Sequence, residues 1–310
     1  MNEAEFAQAE LFVKTRQLPE AKRVYESILQ RTPRNFEALV MVAYLLALQD
    51  LPRHWPRIKQ LYTTALEVSL SLTQVRPKDA ELLFLLASGS FKMGEVEEAL
   101  TYFLKVAEVD AKHERALFNA ALCAEELKQT QRAKELYRKL VAVNPQHTKG
   151  RGNLAILLDR EGELEEAHSE YQKAVGVEKG KRAAPLLNNM GICSLKLGRS
   201  AEAVRHYKAA MQRDPDYSLA HFNCGLAYAE MDKVGDATAQ FETCLKKDGD
   251  MAFAILALAD LAEMKGQPDR ALELYQSLQK KFGAKDIEGL ESKVKGLARQ
   301  LSKALLDQAF

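Results

Sequence analysis

The chain has 310 residues, enough for two ordinary domains or one extended array. Hydrophobic residues make up 47% and charged residues 28%, which supports a substantial core and excludes bulk disorder; 16 glycines and 9 prolines argue against turn-rich all-β, collagen-like and linker-rich chains. Lys and Arg number 44 against 43 Asp and Glu, so the net charge of +1 implies no wholesale attraction to nucleic acid or to an anionic membrane.

The first residues, Met1-Asn2-Glu3-Ala4-Glu5-Phe6, are acidic and lack the basic-then-apolar order of a signal peptide. The longest apolar run, Ala38 to Leu48, is 11 residues, whereas a membrane span needs about 20. The 4 cysteines, Cys123, Cys193, Cys224 and Cys244, form no C-x-x-C pair and no disulfide framework. A soluble, cytoplasmic protein without membrane insertion, in a reducing compartment, is expected.

Along the chain one pattern returns. Ala21, Tyr25, Ile28 and Pro33 are spaced by 4, 3 and 5 residues, as are Ala133-Tyr137-Leu140-Pro145 and Ala203-Tyr207-Ala210-Pro215. Related copies without the proline are Ile58-Tyr62-Ala65, Ala99-Phe103-Ala107, Ala167-Tyr171-Ala174, Ala237-Phe241-Cys244 and Ala271-Tyr275-Leu278. The steps between Ala99, Ala133 and Ala167, and between Ala203, Ala237 and Ala271, are 34 residues; only the step from Ala167 to Ala203 is 36. Upstream of these lie second helical stripes at i, i+3, i+4, such as Leu117-Ala120-Ala121, Leu187-Met190-Gly191 and Ile255-Leu258-Ala259. Between the two halves comes a turn with a glycine at 94, 162, 198 or 266, the residue that ends a helix in a left-handed cap.

This pattern resembles the tetratricopeptide repeat (TPR), a 34-residue unit of helix A, turn and helix B. The resemblance covers nearly the whole chain. It implies an all-α, right-handed superhelical solenoid of eight helix-turn-helix repeats over residues 2–285, starting near Asn2, Phe36, Ala80, Glu114, Thr148, Ala184, Ser218 and Ala252. A lone helix pair cannot bury its apolar face, but stacked neighbours share one core. Residues 286–310 are expected to form a capping helix, with Ile287, Leu290, Val294, Leu297, Leu301 and Leu305 on one stripe. That stripe would also suit a homodimer, although a cap is the blander account.

Two places depart from the pattern. In the second repeat an insertion around 50–56, Asp50-Leu51-Pro52-Arg53-His54-Trp55-Pro56, separates the helices, and helix B is expected from Arg57 to about Val75. Trp55 and Arg53 could form a docking site, because Trp and Arg are enriched in interface hot spots; alternatively Trp55 plugs the gap that the insertion makes. Between the fifth and sixth repeats, Gly176 to Arg182 reads as a solvated loop, with a hinge or small phosphate-binding patch as the other reading.

Signals for catalysis fail. His54, His113, His147, His168, His206 and His221 are scattered, with no H-E-x-x-H. There is no G-x-S-x-G, no G-x-G-x-x-G and no kinase loop. No catalytic residue, metal or cofactor is expected, and the four cysteines read as buried small hydrophobes.

The resemblance implies that the A helices line a concave groove. The sixth position of successive repeats reads Ala7, Met41, Leu85, Asn119, Asn153, Asn189, Asn223 and Ala257. Helix propensity does not favour asparagine there. An amide offers both donor and acceptor, so such a column could pair with the backbone of an extended peptide; asparagine is also common at this position in TPRs and can bond locally. The arrangement matches only half of the carboxylate clamp of chaperone adaptors. Arg115, Lys149 and Arg151 would add positive charge, and Phe118 and Phe222 apolar surface, to the same groove. The expected function is a non-catalytic scaffold that binds an extended segment of a partner protein. The alternatives are a structural subunit of a large assembly, such as a ciliary transport complex suggested by fold alone, and a substrate-recruiting adaptor for a separate enzyme. Nucleic acid is not an expected partner.

Overall fold

A computed structural model describes residues 2–70 and 77–282 of the chain. Among the described residues the secondary structure is entirely helical, and the chain divides into two compact units, Met1–Gly150 and Arg151–Phe310. The capping helix expected over 286–310 lies outside the described residues.

The first unit holds α1 (Asn2–Lys14), α2 (Leu18–Arg31), α3 (Phe36–Leu70), α4 (Pro77–Lys92), α5 (Val96–Val109), α6 (Glu114–Glu126) and α7 (Thr130–Val143). Tyr25, Ile28, Leu45, Leu46, Ile58 and Leu86 are fully buried in one cluster that joins α1 to α4. These are the repeating apolar positions of the sequence, placed on one face of each helix by the 3.6-residue turn.

The second unit holds most of α8 (Thr148–Arg160), then α9 (Leu164–Val177), α10 (Ala183–Lys196), α11 (Ser200–Arg213), α12 (Ser218–Glu230), α13 (Val234–Lys247), α14 (Ala252–Met264) and α15 (Pro268–Phe282). Tyr171, Tyr207, Phe241 and Tyr275 are each buried at the same point of successive B helices. Where an A helix crosses its B helix, glycine lets the backbone approach an aromatic ring. A Cβ on Gly191 would lie 2.5 Å from Tyr207, and one on Gly225 would lie 2.5 Å from Phe241.

Outside α3, the turn within each pair has one geometry and two kinds of residue. Gly94, Gly162, Gly198 and Gly266 have φ between 68° and 81°. Arg16, Lys128 and Asp232 occupy the same turn with φ of 57° to 60°, at the steric cost that a side chain pays there. The next amide closes the turn back onto the A helix, as in Glu95 N–H to Ser90 C=O at 2.9 Å and Gln129 N–H to Ala124 C=O at 2.8 Å.

Helix α3 differs from the expectation for the second repeat. Only Asp50 (φ −162°, ψ 96°) leaves helical geometry, so the expected linker over 50–56 is already helix from Leu51. The reason is local. Asp50 Oδ1 accepts the Arg53 N–H at 3.1 Å as an N-cap, and Pro52 falls in the first turn, where a backbone N–H has no intrahelical partner to lose. The helix is described to Leu70, and its expected end near Val75 lies outside the described residues. Between the fifth and sixth repeats, Gly180–Arg182 forms one 3₁₀ turn.

Candidate functional site

Each unit presents its A helices differently. In the first unit, α1, α3 and α4 enclose a cavity of about 520 Å³ with α2 at its edge. Its lining is mainly apolar (Phe6, Val40, Met41, Tyr44, Leu82 and Leu85 among others), and Glu10, Glu37 and Glu81 outnumber Lys14. That volume falls within the range of ligand pockets, roughly 300–1,000 Å³. Met41 and Leu85 are the sixth-position residues of their repeats. Attention to asparagine passed them over, although their apolar character was the available signal.

Further along this unit, Asn119 is half-buried on α6 and meets no hydrogen-bond partner among the described residues. Its neighbour Phe118 is tilted against Tyr137, with ring centres 6.1 Å apart, and against His147 at 5.2 Å. Arg115 is exposed and stacks its guanidinium 4.6 Å from the Phe84 ring centre. Lys149, at the start of α8, is exposed.

Trp55 is 4% exposed. Its ring lies over Gly89 of α4, where a Cβ would come within 2.1 Å, and its indole N–H donates to Glu95 at 3.1 Å. Lys59 bridges Glu95, at 3.2 Å, and Glu98; these hydrogen bonds hold the Glu95 carboxyl below its ordinary pKa against the effect of desolvation. Trp55 therefore fills the interior instead of offering its face to a partner, which corrects its reading as a docking residue. Arg53 is exposed beside it.

In the second unit the polar residues expected to line a groove are largely engaged by the protein itself. Arg151, expected as a groove cation, is buried and ion-paired with Glu170 of α9, which also accepts from Lys173 at 2.6 Å. Its charge is neutralised across its own helix pair, because a buried guanidinium requires a carboxylate partner. Asn153 is half-buried on α8. Asn223 Nδ2 donates to Asn188 Oδ1 at 2.8 Å, and Asn188 Nδ2 donates to Asn189 Oδ1 at 3.5 Å. Asn188 is 3% exposed and lies at the centre of this relay. The Asn189 amide nitrogen and the Asn223 amide oxygen retain hydrogen-bonding capacity for a ligand. Apolar surface flanks them: Leu219, Leu226 and Phe253 are 44%, 37% and 70% exposed, and Phe222 is half-buried, 5.7 Å from Phe241.

The structure also assembles one group that the dispersed histidines concealed. His168 of α9 and Glu202 and His206 of α11 place one ligand atom each within 4.8 Å of one another. The signal available in sequence was Glu202-x-x-x-His206 on one helix face, with His168 a 34-residue period before Glu202. The cysteines are all buried. Burial pushes the Cys123 thiol up to about 12 and those of Cys193, Cys224 and Cys244 up to about 11, so they remain neutral. Among the described residues no helix is long and apolar enough to cross a membrane.

Family models described as tetratricopeptide repeat match residues 80–113, 115–147 and 225–286, and one described as TPR repeat matches residues 195–232. No curated protein matches the chain in sequence. Among solved structures, pilF of Pseudomonas aeruginosa is similar at 17% identity, with 71% of this chain and 97% of that one covered and a TM-score of 0.56. PilW, a widely conserved type IV pilus biogenesis factor, is similar at 21% identity over 70% of this chain and 99% of its own, with a TM-score of 0.57. YrrB, a TPR protein with an unusual peptide-binding site, is similar at 18% identity over 63% of this chain and 97% of its own, with a TM-score of 0.51. At such identities the likeness is one of fold.

Proposed function

This chain belongs to the tetratricopeptide repeat family, which is generally a non-catalytic protein-interaction fold, and from that premise we propose that its second unit binds an extended peptide segment of a partner protein along its A helices. The observation that carries this reading is the asparagine relay. With Asn188 holding Asn223 in place and Asn189 beside it, the Asn189 amide nitrogen serves a peptide C=O and the Asn223 amide oxygen serves a peptide N–H. Asn153 would extend the same contact along α8. Leu219, Phe222, Leu226 and Phe253 supply pockets for alternate side chains, so that backbone pairing gives affinity and apolar contact gives selectivity. Arg151 then acts by bracing α8 against α9, with its charge already paired to Glu170.

In the first unit, Asn119, Phe118, Arg115 and Lys149 offer a separate polar and cationic contact. The cavity between α1, α3 and α4 supports a second mode of binding. Its apolar lining and acidic rim suit an apolar segment that carries a basic residue.

Peptide display with random and C-terminal libraries tests both modes. Peptides that bind the wild type through the relay should lose roughly tenfold in affinity on Asn189→Ala, the loss expected for one net hydrogen bond of about 1 kcal/mol or slightly more. Peptides held by the cavity should be indifferent to that change. Circular dichroism checks that the variant folds. If the folded wild type selects no peptide, or every selected peptide binds Asn189→Ala equally well, the groove reading of the second unit is wrong.

A further inference from the structure

Two histidines and a glutamate meet between two B helices of the second unit. Glu202 and His206 are four residues apart on α11 and share one helix face. His168 reaches the same point from α9. Glu202 Oε1 lies 3.5 Å from His206 Nε2 and 3.7 Å from His168 Nε2. Both distances are too long for good hydrogen bonds. They are close to the edge of a tetrahedron whose centre-to-ligand distance is about 2.0–2.1 Å, an edge of roughly 3.4 Å, as zinc adopts with imidazole and carboxylate ligands.

The burial of these atoms points the same way. The Nε2 atoms of His168 and His206 are both shielded from solvent and meet no hydrogen-bond partner among the described residues. The two rings lie with centres 5.7 Å apart and planes tilted by 58°, and the side chains are only 13% and 17% exposed. Buried polar atoms are normally satisfied, and a cation shared by the two imidazole nitrogens and the carboxylate would satisfy all three. Glu202, 27% exposed, leaves a route from solvent.

We propose that His168 Nε2, His206 Nε2 and a Glu202 carboxylate oxygen bind one zinc-type ion, with water as the fourth ligand. Two neutral nitrogens and one carboxylate suit zinc and its transition-metal neighbours, whereas magnesium and calcium demand sets of oxygen ligands. The buried cysteines do not compete, since the group of possible ligands found among the described residues contains none of them. Bound metal would tie α9 to α11, the B helices of successive repeats, and lend the second unit a ligand-dependent stability.

The test uses the full chain stripped of metal by a chelator. Titration with zinc chloride should show one equivalent bound and a rise in Tm, and magnesium chloride should do neither. Cobalt(II) should give the intense visible absorption of a tetrahedral site. Long-range proton–nitrogen NMR of the wild type should show the ring nitrogens of His168 and His206 shifting together on addition of zinc, while those of His54 and His221 stay unmoved. His168→Ala and His206→Ala should each weaken zinc by more than the roughly 10–100-fold that loss of an outer-sphere partner costs. Glu202→Gln, at a partly exposed position, guards against variants that fail to fold and should weaken zinc as well. Absence of zinc binding by the folded wild type overturns the proposal. So does binding that persists unchanged in these variants or that moves other histidines instead.

Discussion

Met41 and Leu85 in the first unit stand at the repeat position that Asn189 and Asn223 occupy in the second. The first pair helps to line an open apolar cavity with an acidic rim. The second pair belongs to a chain of amides that spends part of its hydrogen-bonding capacity on the buried Asn188. A repeat backbone thus offers the same position to different chemistry. The difference also shows that a polar residue on a binding face is not automatically available to a ligand. Its partners inside the protein decide how many donors and acceptors remain, as Arg151 shows when it is compared with the exposed Arg115 and Lys149.

The largest effect should come from the charges. Arg151→Ala leaves Glu170 buried beside Lys173, and should cost about 3–5 kcal/mol, toward the lower end because Lys173 remains. The exposed pair of Arg31 and Glu5 in the first unit, 2.7 Å apart, should contribute less than about 1 kcal/mol. Urea denaturation of Arg151→Ala and Arg31→Ala measures both; equal losses would erase the distinction between internal and surface charge.

A smaller effect concerns close packing, where the two units should behave alike. Gly225→Ala pushes a methyl against the Phe241 ring and should cost about 1–3 kcal/mol through overpacking. Gly89→Ala meets Trp55 at still shorter range and should cost at least as much. Thermal unfolding followed by circular dichroism reports both, and a neutral Gly225→Ala would mean that α12 and α13 separate without penalty.

The smallest effect should be a gain. Lys128 of the first unit and Asp232 of the second hold left-handed turns that glycine fills at 94, 162, 198 and 266. Lys128→Gly should stabilise by about 0.5–1 kcal/mol, the steric relief of the left-handed region less the entropy of a freer unfolded chain. The denaturation midpoint should rise with no change in slope; a fall would show that the Lys128 side chain contributes more than its backbone costs.

Much of the fold was legible because it rests on short-range physics. The 34-residue period, the aromatic residue on each B helix and the glycine turns are all written within single repeats. The second repeat was misread locally, because Asp50 and Pro52 look like loop residues until one acts as an N-cap and the other falls in the first turn. The site was less legible. Arg151 looked like a groove cation because its partner, Glu170, lies on the other helix of the pair, 19 residues away. The meeting of His168 with Glu202 and His206 depends on the spacing between successive B helices, so no motif scan of a single helix detects it.

The contact of Trp55 with Gly89 has a consequence for interchangeability. Repeat arrays invite the idea that units can be reordered, duplicated or replaced by a consensus. Here the indole of one repeat needs a residue without a side chain in the next, and it also needs the Glu95 carboxylate. A consensus unit inserted between these two repeats would have to bring a new receptor for the ring and a new seat for α4. The two therefore behave as an indivisible pair: they can be transplanted together, but neither can be exchanged alone.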